Sequence, residues 1–238
     1  MLSYRLLLVL GCLFLFAVSA VHSQDKNARG FVNRTFKDKD GEAKYVLFVP
    51  HGYKDDAEFP LILFLHGAGE REGGSKQPVE VGIGPAVKKE EKSFPFFVLI
   101  PRCKGAPNNW QADGADAQRA LAMLAEVRKD YKIDTKRIYL TGLSMGGYGT
   151  WSLAAKHPDL WAAIVPVCGK GNPADGEKIK HIPCWAFHGD KDTAVKVEGS
   201  REMIAAMKKA GGEPKYTEYP GVGHNSWDMA YGTKELYD

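Results

Sequence analysis

The sequence GLSMGGYG at residues 142–149 places four glycines and one serine directly after the apolar run RIYLT. Glycine lacks a Cβ atom, so it tolerates sharp turns and close backbone contacts that other residues do not. An apolar run that ends abruptly in small residues is typical of a buried strand that turns at once into a helix. We therefore expect Ser144 at the tip of a strand–turn–helix unit, with its hydroxyl lifted above the edge of a sheet.

The rest of the chain alternates between two hydrophobic periods. Short, continuously apolar segments predict strands that are buried on both faces, at residues 60–65, 96–100, 138–141, 162–167 and 184–187. A last strand is predicted at 215–219, and an Asp-Gly turn predicts a hairpin between 31–36 and 45–49. Amphipathic or capped segments predict helices at 116–131, 145–156 and 197–210. This alternation indicates a three-layer α/β domain at 21–238 with a mostly parallel, twisted sheet.

Residues 1–20 differ from the rest of the chain. Arg5 precedes an apolar run at 6–18, and Ser19 and Ala20 follow it. This pattern predicts a signal peptide that is cleaved after Ala20, and hence a secreted or periplasmic protein. The run is shorter than the roughly 20 residues of a membrane span, so no stable span is expected after its removal. A lipoprotein anchor at Cys12 is the alternative.

Charge and cysteine content exclude several function classes. The formal net charge of the 238 residues is +3, and no basic run is interleaved with aromatic residues, so nucleic acid is not an expected partner. Cys103, Cys168 and Cys184 follow the predicted signal peptide and match no metal-site spacing. They predict either one disulfide or three buried thiols. No cluster of histidines and carboxylates has ligand spacing, so neither a metal nor a cofactor is expected.

A serine nucleophile requires a base and an acid that orients the base. His224 follows the last predicted strand, and Asp192 follows the strand at 184–187. The carboxyl ends of parallel strands meet at one edge of a sheet, so these side chains are expected to converge on Ser144. We predict Ser144 as nucleophile, His224 as general base and acid, and Asp192 as the orienting carboxylate. Asp190 is the alternative acid, although its place beside a glycine favours a turn cap.

Two backbone amides are candidates for stabilising a negatively charged oxygen. The amide of Met145 is expected at the N-terminus of the helix that follows Ser144. The second donor is expected in the small-residue loop after the strand at 60–65, where Ala68 is favoured and Gly67 is the alternative. The other reading of this loop is a tight turn without a catalytic part.

Four blocks in order, LHGAGERE, GLSMGGYGTW, HGDKDTAV and YPGVGHNSWDMAY, resemble the α/β-hydrolase superfamily. Within it, they resemble the esterase group of first-family carbohydrate esterases (feruloyl and acetyl xylan esterases), polyhydroxybutyrate depolymerase-like esterases and predicted peptidases. The resemblance implies that Trp110 and Trp227 contact substrate, and both are equally consistent with core aromatics. Relatives usually continue beyond the position of Asp238 into a longer terminal helix that covers part of the sheet.

The combined prediction is a secreted serine esterase that acts through an acyl-enzyme on Ser144. Only 16 residues, 168–183, separate two strands where hydrolases of this fold often insert a lid, so the site is expected to be open and shallow. Such a site suits an acetyl or feruloyl ester on a polysaccharide, or a short-chain ester, better than a long lipid chain. The alternatives are a serine peptidase of the same fold and a non-catalytic binding protein that keeps the hydrolase fold.

Overall fold

Eight strands form one sheet in the part of the chain that the computed structural model describes, residues 27–104 and 110–238. The strands are β1 (Gly30–Asp38), β2 (Gly41–Val49), β3 (Phe59–Leu65), β4 (Phe97–Pro101), β5 (Ile133–Leu143), β6 (Ala163–Val167), β7 (Trp185–Gly189) and β8 (Lys215–Tyr219). Their order across the sheet is β1-β2-β4-β3-β5-β6-β7-β8. The predicted signal peptide at 1–20 lies outside the described residues.

Strand direction divides the sheet into two parts. Hairpin strands β1 and β2 pair antiparallel to each other, and β2 pairs antiparallel to β4. All other neighbours, from β4 and β3 to β7 and β8, are parallel. The carboxyl ends of six strands therefore lie at one edge of the sheet, where loops in folds of this kind gather side chains.

Helices cover both faces of the sheet, as the apolar strands require. They are α1 (Ile83–Lys89), α2 (Ala115–Asp130), α3 (Met145–Lys156), α4 (Gly176–Ile179), α5 (Glu198–Lys209) and α6 (Trp227–Tyr231). Buried side chains of α2 to α5 pack on one face of the sheet, and those of α1 and α6 pack on the other. The three-layer α/β architecture expected from the sequence is confirmed.

Most predicted elements are present with small shifts in their ends. Helix α3 and strand β8 have the predicted bounds, whereas β5 begins at Ile133, ahead of the predicted 138. The sequence prediction missed the short helices α1, α4 and α6. Segments this short carry too few turns to show a helical period.

The segment at 168–183 contains no extended lid. Its helix α4 packs against α3 and α5, and Ile179 is buried in the core on that face. The segment therefore thickens the helical layer instead of covering Ser144.

Three cysteines lie among the described residues. Cys103, Cys168 and Cys184 are all buried, and no disulfide joins any two of them, as in the second of the two predicted alternatives. Within residues 27–104 and 110–238, no helix has both the length and the apolar character needed to cross a membrane.

The turn between β5 and α3 depends on two glycines. Ser144 has a φ of 52°, in the left-handed region that non-glycine residues rarely adopt. A Cβ on Gly146 would lie 1.8 Å from the carbonyl oxygen of Leu65, and one on Gly142 would lie 2.4 Å from that of Gly146. Both contacts are with backbone atoms that cannot rotate away. Glycine at these positions lets the start of α3 pack directly against the end of β3.

Replacing Gly146 with alanine is expected to destabilise the fold. Overpacking of this kind costs about 3 kcal/mol, which corresponds to a fall in Tm of roughly 6–12 °C for a domain of this size. Differential scanning calorimetry measures the change. The control is Gly52→Ala, where nothing lies within 4 Å of the added methyl group. An equal Tm for the two variants would contradict this account of the turn.

Candidate active site

Ser144, His224 and Asp192 form a chain of two hydrogen bonds. The hydroxyl of Ser144 donates to Nε2 of His224 at 2.9 Å. Nδ1 of His224 donates to Oδ2 of Asp192 at 2.7 Å. The carboxylate can only accept, and this assigns the proton to Nδ1 and leaves Nε2 free to accept the proton of the serine. This is the geometry of an activated serine nucleophile.

Three strand ends bring these side chains together. Ser144 follows β5, and its amide donates to the carbonyl of Val167 at the end of the neighbouring strand β6. Asp192 and His224 lie in the loops after β7 and β8, which pair in parallel along their whole length. The convergence predicted from the strand ends is therefore present in the structure.

Asp192 is the more enclosed of the two candidate acids. Its Oδ1 accepts the amides of Ala194 and Val195, both at 2.9 Å. Its Oδ2 accepts from His224 and lies 3.2 Å from Nε2 of His188. The alternative, Asp190, caps the turn at Gly221 through a hydrogen bond of 2.7 Å. Asp190 therefore caps a turn, as its position beside a glycine predicted.

The environment of Asp192 keeps its carboxylate ionised. Burial alone raises the pKa of this group, but the hydrogen bond from His224 and the amides of Val195 and Ala194 outweigh it, so the net pKa lies below its usual value. A permanently ionised carboxylate suits a group that orients an imidazole and stabilises its protonated form.

His188 supports this arrangement from inside the core. The side chain is fully buried, with Nδ1 2.7 Å from the hydroxyl of Ser200 and Nε2 3.0 Å from the carbonyl of Val195. Both neighbours of Nε2 are oxygen acceptors, which places a proton on that nitrogen. The sequence pattern gave no signal that this ring lies against Asp192.

Two amides beside Ser144 are available to bind a ligand. Among the described residues, the amides of Met145 and Ala68 have no hydrogen-bond acceptor. Met145 is the first residue of α3, where the helix dipole adds positive potential. Ala68 follows β3, whose end pairs with that of β5 through Leu65 and Gly142. The two amides thus belong to neighbouring strand ends.

Hydrogen bonds of His66 and Arg102 hold the loop that carries Ala68 in place. Nε2 of His66 accepts the amide of Cys103, and Nδ1 donates to the carbonyl of Gly67 at 2.7 Å. Burial lowers the pKa of His66 to about 4, so the ring is neutral. Arg102 donates to the carbonyls of Glu70 and Arg71.

The carboxyl group of Glu70 lies against the same loop, next to Gly67. The side chain is buried, and burial raises its pKa. Ala68 stays the predicted second donor, with Gly67 as the alternative. Sequence analysis missed Glu70 and Arg102. An acid in an otherwise small and apolar loop was the one available signal for Glu70, and Arg102 had none.

The two candidate tryptophans occupy different positions. Trp110 is 1% exposed, and its Nε1 donates to the carbonyl of His66 at 2.9 Å. It supports the loop as a core aromatic, and it also forms part of the wall of a cavity of about 270 Å³ at Ser144. Trp227 is half-buried, with its ring edge-on to His224 at a centroid distance of 5.3 Å.

The side chains of Cys168, Asp192 and His224 also form a group with metal-ligand character. One ligand atom from each lies within 4.8 Å of the other two. Burial raises the pKa of the Cys168 thiol to about 12, so the thiol stays protonated, whereas a metal ligand must be a thiolate. Asp192 and His224 are already bonded to each other. This chemistry fits the hydrogen-bonded serine chain better than a metal centre.

Comparison with known proteins gives several relatives that carry esterase names. The chain is 32% identical over 144 residues to the bifunctional acetylxylan esterase/xylanase of Neocallimastix patriciarum, covering 59% of this chain and 21% of that protein. It is 27% identical over 173 residues to the "Probable feruloyl esterase C" of Aspergillus terreus, covering 67% of this chain and 58% of that protein. In both cases the chain spans less than two thirds of the relative.

A solved structure of a thermostable esterase shows the same fold. It superimposes with a TM-score of 0.78 and 36% sequence identity, covering 86% of this chain and 60% of that one. The α/β-hydrolase fold implied by the four sequence blocks is thereby confirmed. The model of the dienelactone hydrolase family matches residues 106–228, more than half of the 238 residues and a span that includes Ser144, Asp192 and His224. The chain belongs to the dienelactone hydrolase family.

Proposed function

We propose that this protein is a secreted serine esterase that hydrolyses carboxylic esters, with acetyl or feruloyl groups on polysaccharide, or short-chain esters, as substrates. The observation that carries the proposal is the hydrogen-bond chain from Ser144 through His224 to Asp192, with two free amides beside it. The esterase names of the relatives support the same chemistry. Secretion rests on the sequence pattern at residues 1–20.

The proposed reaction begins with attack by Oγ of Ser144 on the ester carbonyl. Nε2 of His224 takes the hydroxyl proton as the bond forms, and Asp192 stabilises the resulting imidazolium. The oxygen of the tetrahedral intermediate becomes negative and accepts the amides of Met145 and Ala68. His224 then gives the proton to the departing alcohol oxygen, which leaves an acyl-enzyme.

Hydrolysis of the acyl-enzyme repeats these steps with water. His224 removes a proton from water, the hydroxide attacks the acyl carbonyl, and the same amides bind the second oxyanion. Collapse of this intermediate returns the proton to Oγ of Ser144 and releases the carboxylic acid. The half-buried, unlidded position of Ser144 gives water and bulky alcohols access to the site.

Removal of the serine hydroxyl tests the nucleophile. Ser144→Ala is expected to lower kcat/KM for p-nitrophenyl acetate and methyl ferulate by several orders of magnitude. The matched control is Ser93→Ala, an exposed serine before β4, which should retain wild-type rates. Retained activity in Ser144→Ala would contradict the proposal. Faster cleavage of a peptide anilide than of either ester would favour the peptidase alternative.

Two isosteric substitutions distinguish the roles of Asp192 and Asp190. Asp192→Asn is expected to lower kcat about 10⁴-fold, as in serine proteases, because an amide in place of the carboxylate favours the wrong tautomer of the histidine. Asp190→Asn should change kcat only a few-fold, since the asparagine oxygen still caps Gly221. The readout is the rate with p-nitrophenyl acetate at neutral pH. Equal losses in the two variants would contradict the assignment of Asp192.

The raised pKa of Glu70 predicts a pH-dependent gain from Glu70→Gln. An acid whose pKa is raised on folding stabilises the folded state below its unfolded pKa, and this contribution is lost as pH rises through the folded value. Glutamine keeps the size of the side chain and does not titrate, so it avoids this loss. The Tm of the variant minus that of the wild type should therefore increase between pH 4 and pH 7. A difference in Tm that does not change with pH would argue against a raised pKa of the Glu70 carboxyl group.

A further inference from the structure

A second cavity adjoins the one at Ser144. It measures about 290 Å³ and shares Gln111 and Tyr148 with the first, so the two cavities form one groove. Its other polar lining residues are Ser152, Lys170, Asn172 and Asp175. The groove follows α3, because Ser144, Tyr148 and Ser152 are spaced four residues apart on one helical face. At a rise of 1.5 Å per residue, Ser152 lies about 12 Å along the helix from Ser144.

The second cavity presents both donors and acceptors to a ligand. Oγ of Ser152 accepts the amide of Ala112, which leaves the proton of Ser152 to donate. Oδ1 of Asn172 accepts the amide of Ala174, which leaves the side-chain NH₂ group to donate. The exposed Lys170 and Gln111 add an ammonium group and an amide.

Charge within this cavity is balanced. Lys170 contributes one positive charge, and Asp175 contributes one negative charge that is also paired with Lys178 at 2.7 Å. A lining of this kind does not select for an anion or a cation. It also disfavours an alkyl chain, because burying polar groups without hydrogen-bond partners is costly. A neutral ligand with many hydroxyl groups satisfies these groups best.

Aromatic side chains complete the wall. Tyr148 is half-buried at the junction of the two cavities, and Trp151 lies beneath the second one. Nε1 of Trp151 is a buried donor without a partner among the described residues. Because Trp151 is only 2% exposed, Tyr148 supplies the aromatic contact of this wall, which complements the apolar face of a sugar ring.

We propose that this second cavity is a carbohydrate subsite, which binds the sugar portion of the ester while its carbonyl lies at Ser144. The inference rests on the proposed esterase function and refines it. The preferred substrate is then an O-acylated oligosaccharide or polysaccharide, and simple short-chain esters are cleaved without help from this subsite.

The first test compares two esters with the same acyl group and different alcohols, an O-acetylated xylo-oligosaccharide and p-nitrophenyl acetate. Lys170→Met keeps the side-chain stem that packs against Gly199 and removes the ammonium group. Asn172→Asp keeps the oxygen that caps Ala174 and removes the NH₂ donor. The double variant is expected to lower the ratio of kcat/KM for the sugar ester to that for p-nitrophenyl acetate about tenfold or more.

The matched control is Lys54→Met, an exposed lysine in the turn before β3, at the opposite edge of the sheet from Ser144. This control should keep the wild-type ratio. An unchanged ratio in the double variant would overturn the subsite. A wild type that cleaves neither ester would instead overturn the esterase proposal.

Direct binding tests the subsite independently of catalysis. Unesterified xylotetraose is titrated into Ser144→Ala, with calorimetry as the readout. Saturable binding is expected, weakened tenfold or more when Lys170→Met and Asn172→Asp are added. Failure to bind at millimolar sugar overturns the carbohydrate subsite even if small esters are cleaved. Binding by a protein that cleaves neither ester upholds the sugar site and overturns its role in ester hydrolysis.

Discussion

The strained backbone at Ser144 is the constraint on which the rest of the site depends. A φ of 52° costs a non-glycine residue on the order of 1–3 kcal/mol, so the surrounding structure must hold it in place. The close packing of Gly146 against the end of β3 and the hydrogen bond from the Ser144 amide to Val167 supply that restraint. The same turn sets the direction of α3, and with it the Met145 amide and the groove along the helix.

Electrostatics at the site follow from how completely Asp192 is surrounded. A carboxylate buried without partners would become neutral, but three donors from two loops keep this one charged. His188 lies 3.2 Å from the same carboxylate, and it connects the site to the core through Ser200. The orientation of His224 thus depends on residues that have no direct contact with Ser144.

The loop after β3 shows how a short, small-residue segment becomes rigid. Its carbonyls accept from Arg71 and Arg102, its histidine is neutral and makes two hydrogen bonds, and the buried Glu70 lies against Gly67. With these groups satisfied, the Ala68 amide is left to face a ligand. Preorganised donors of this kind stabilise a developing charge without having to move during the reaction.

The elements and the order of the loops were predictable because they depend on local patterns. Hydrophobic period separates strands from helices, the glycines of residues 142–149 mark the turn, and the strand ends mark where Asp192 and His224 lie. The short helices α1, α4 and α6 were missed because each contains too few residues to show a period.

The sequence by itself determined the α/β class and the three side chains that meet at the sheet edge, since backbone sterics and periodicity act over a few neighbouring residues. Only the tertiary structure decided that Arg102 braces the loop beside the buried Glu70, that His188 lies against Asp192 and that Trp110 is buried. The tertiary structure alone also brings residues 111, 152 and 172 together in one groove. These contacts join segments far apart in the chain, and distance in space leaves no trace in the local pattern of residues.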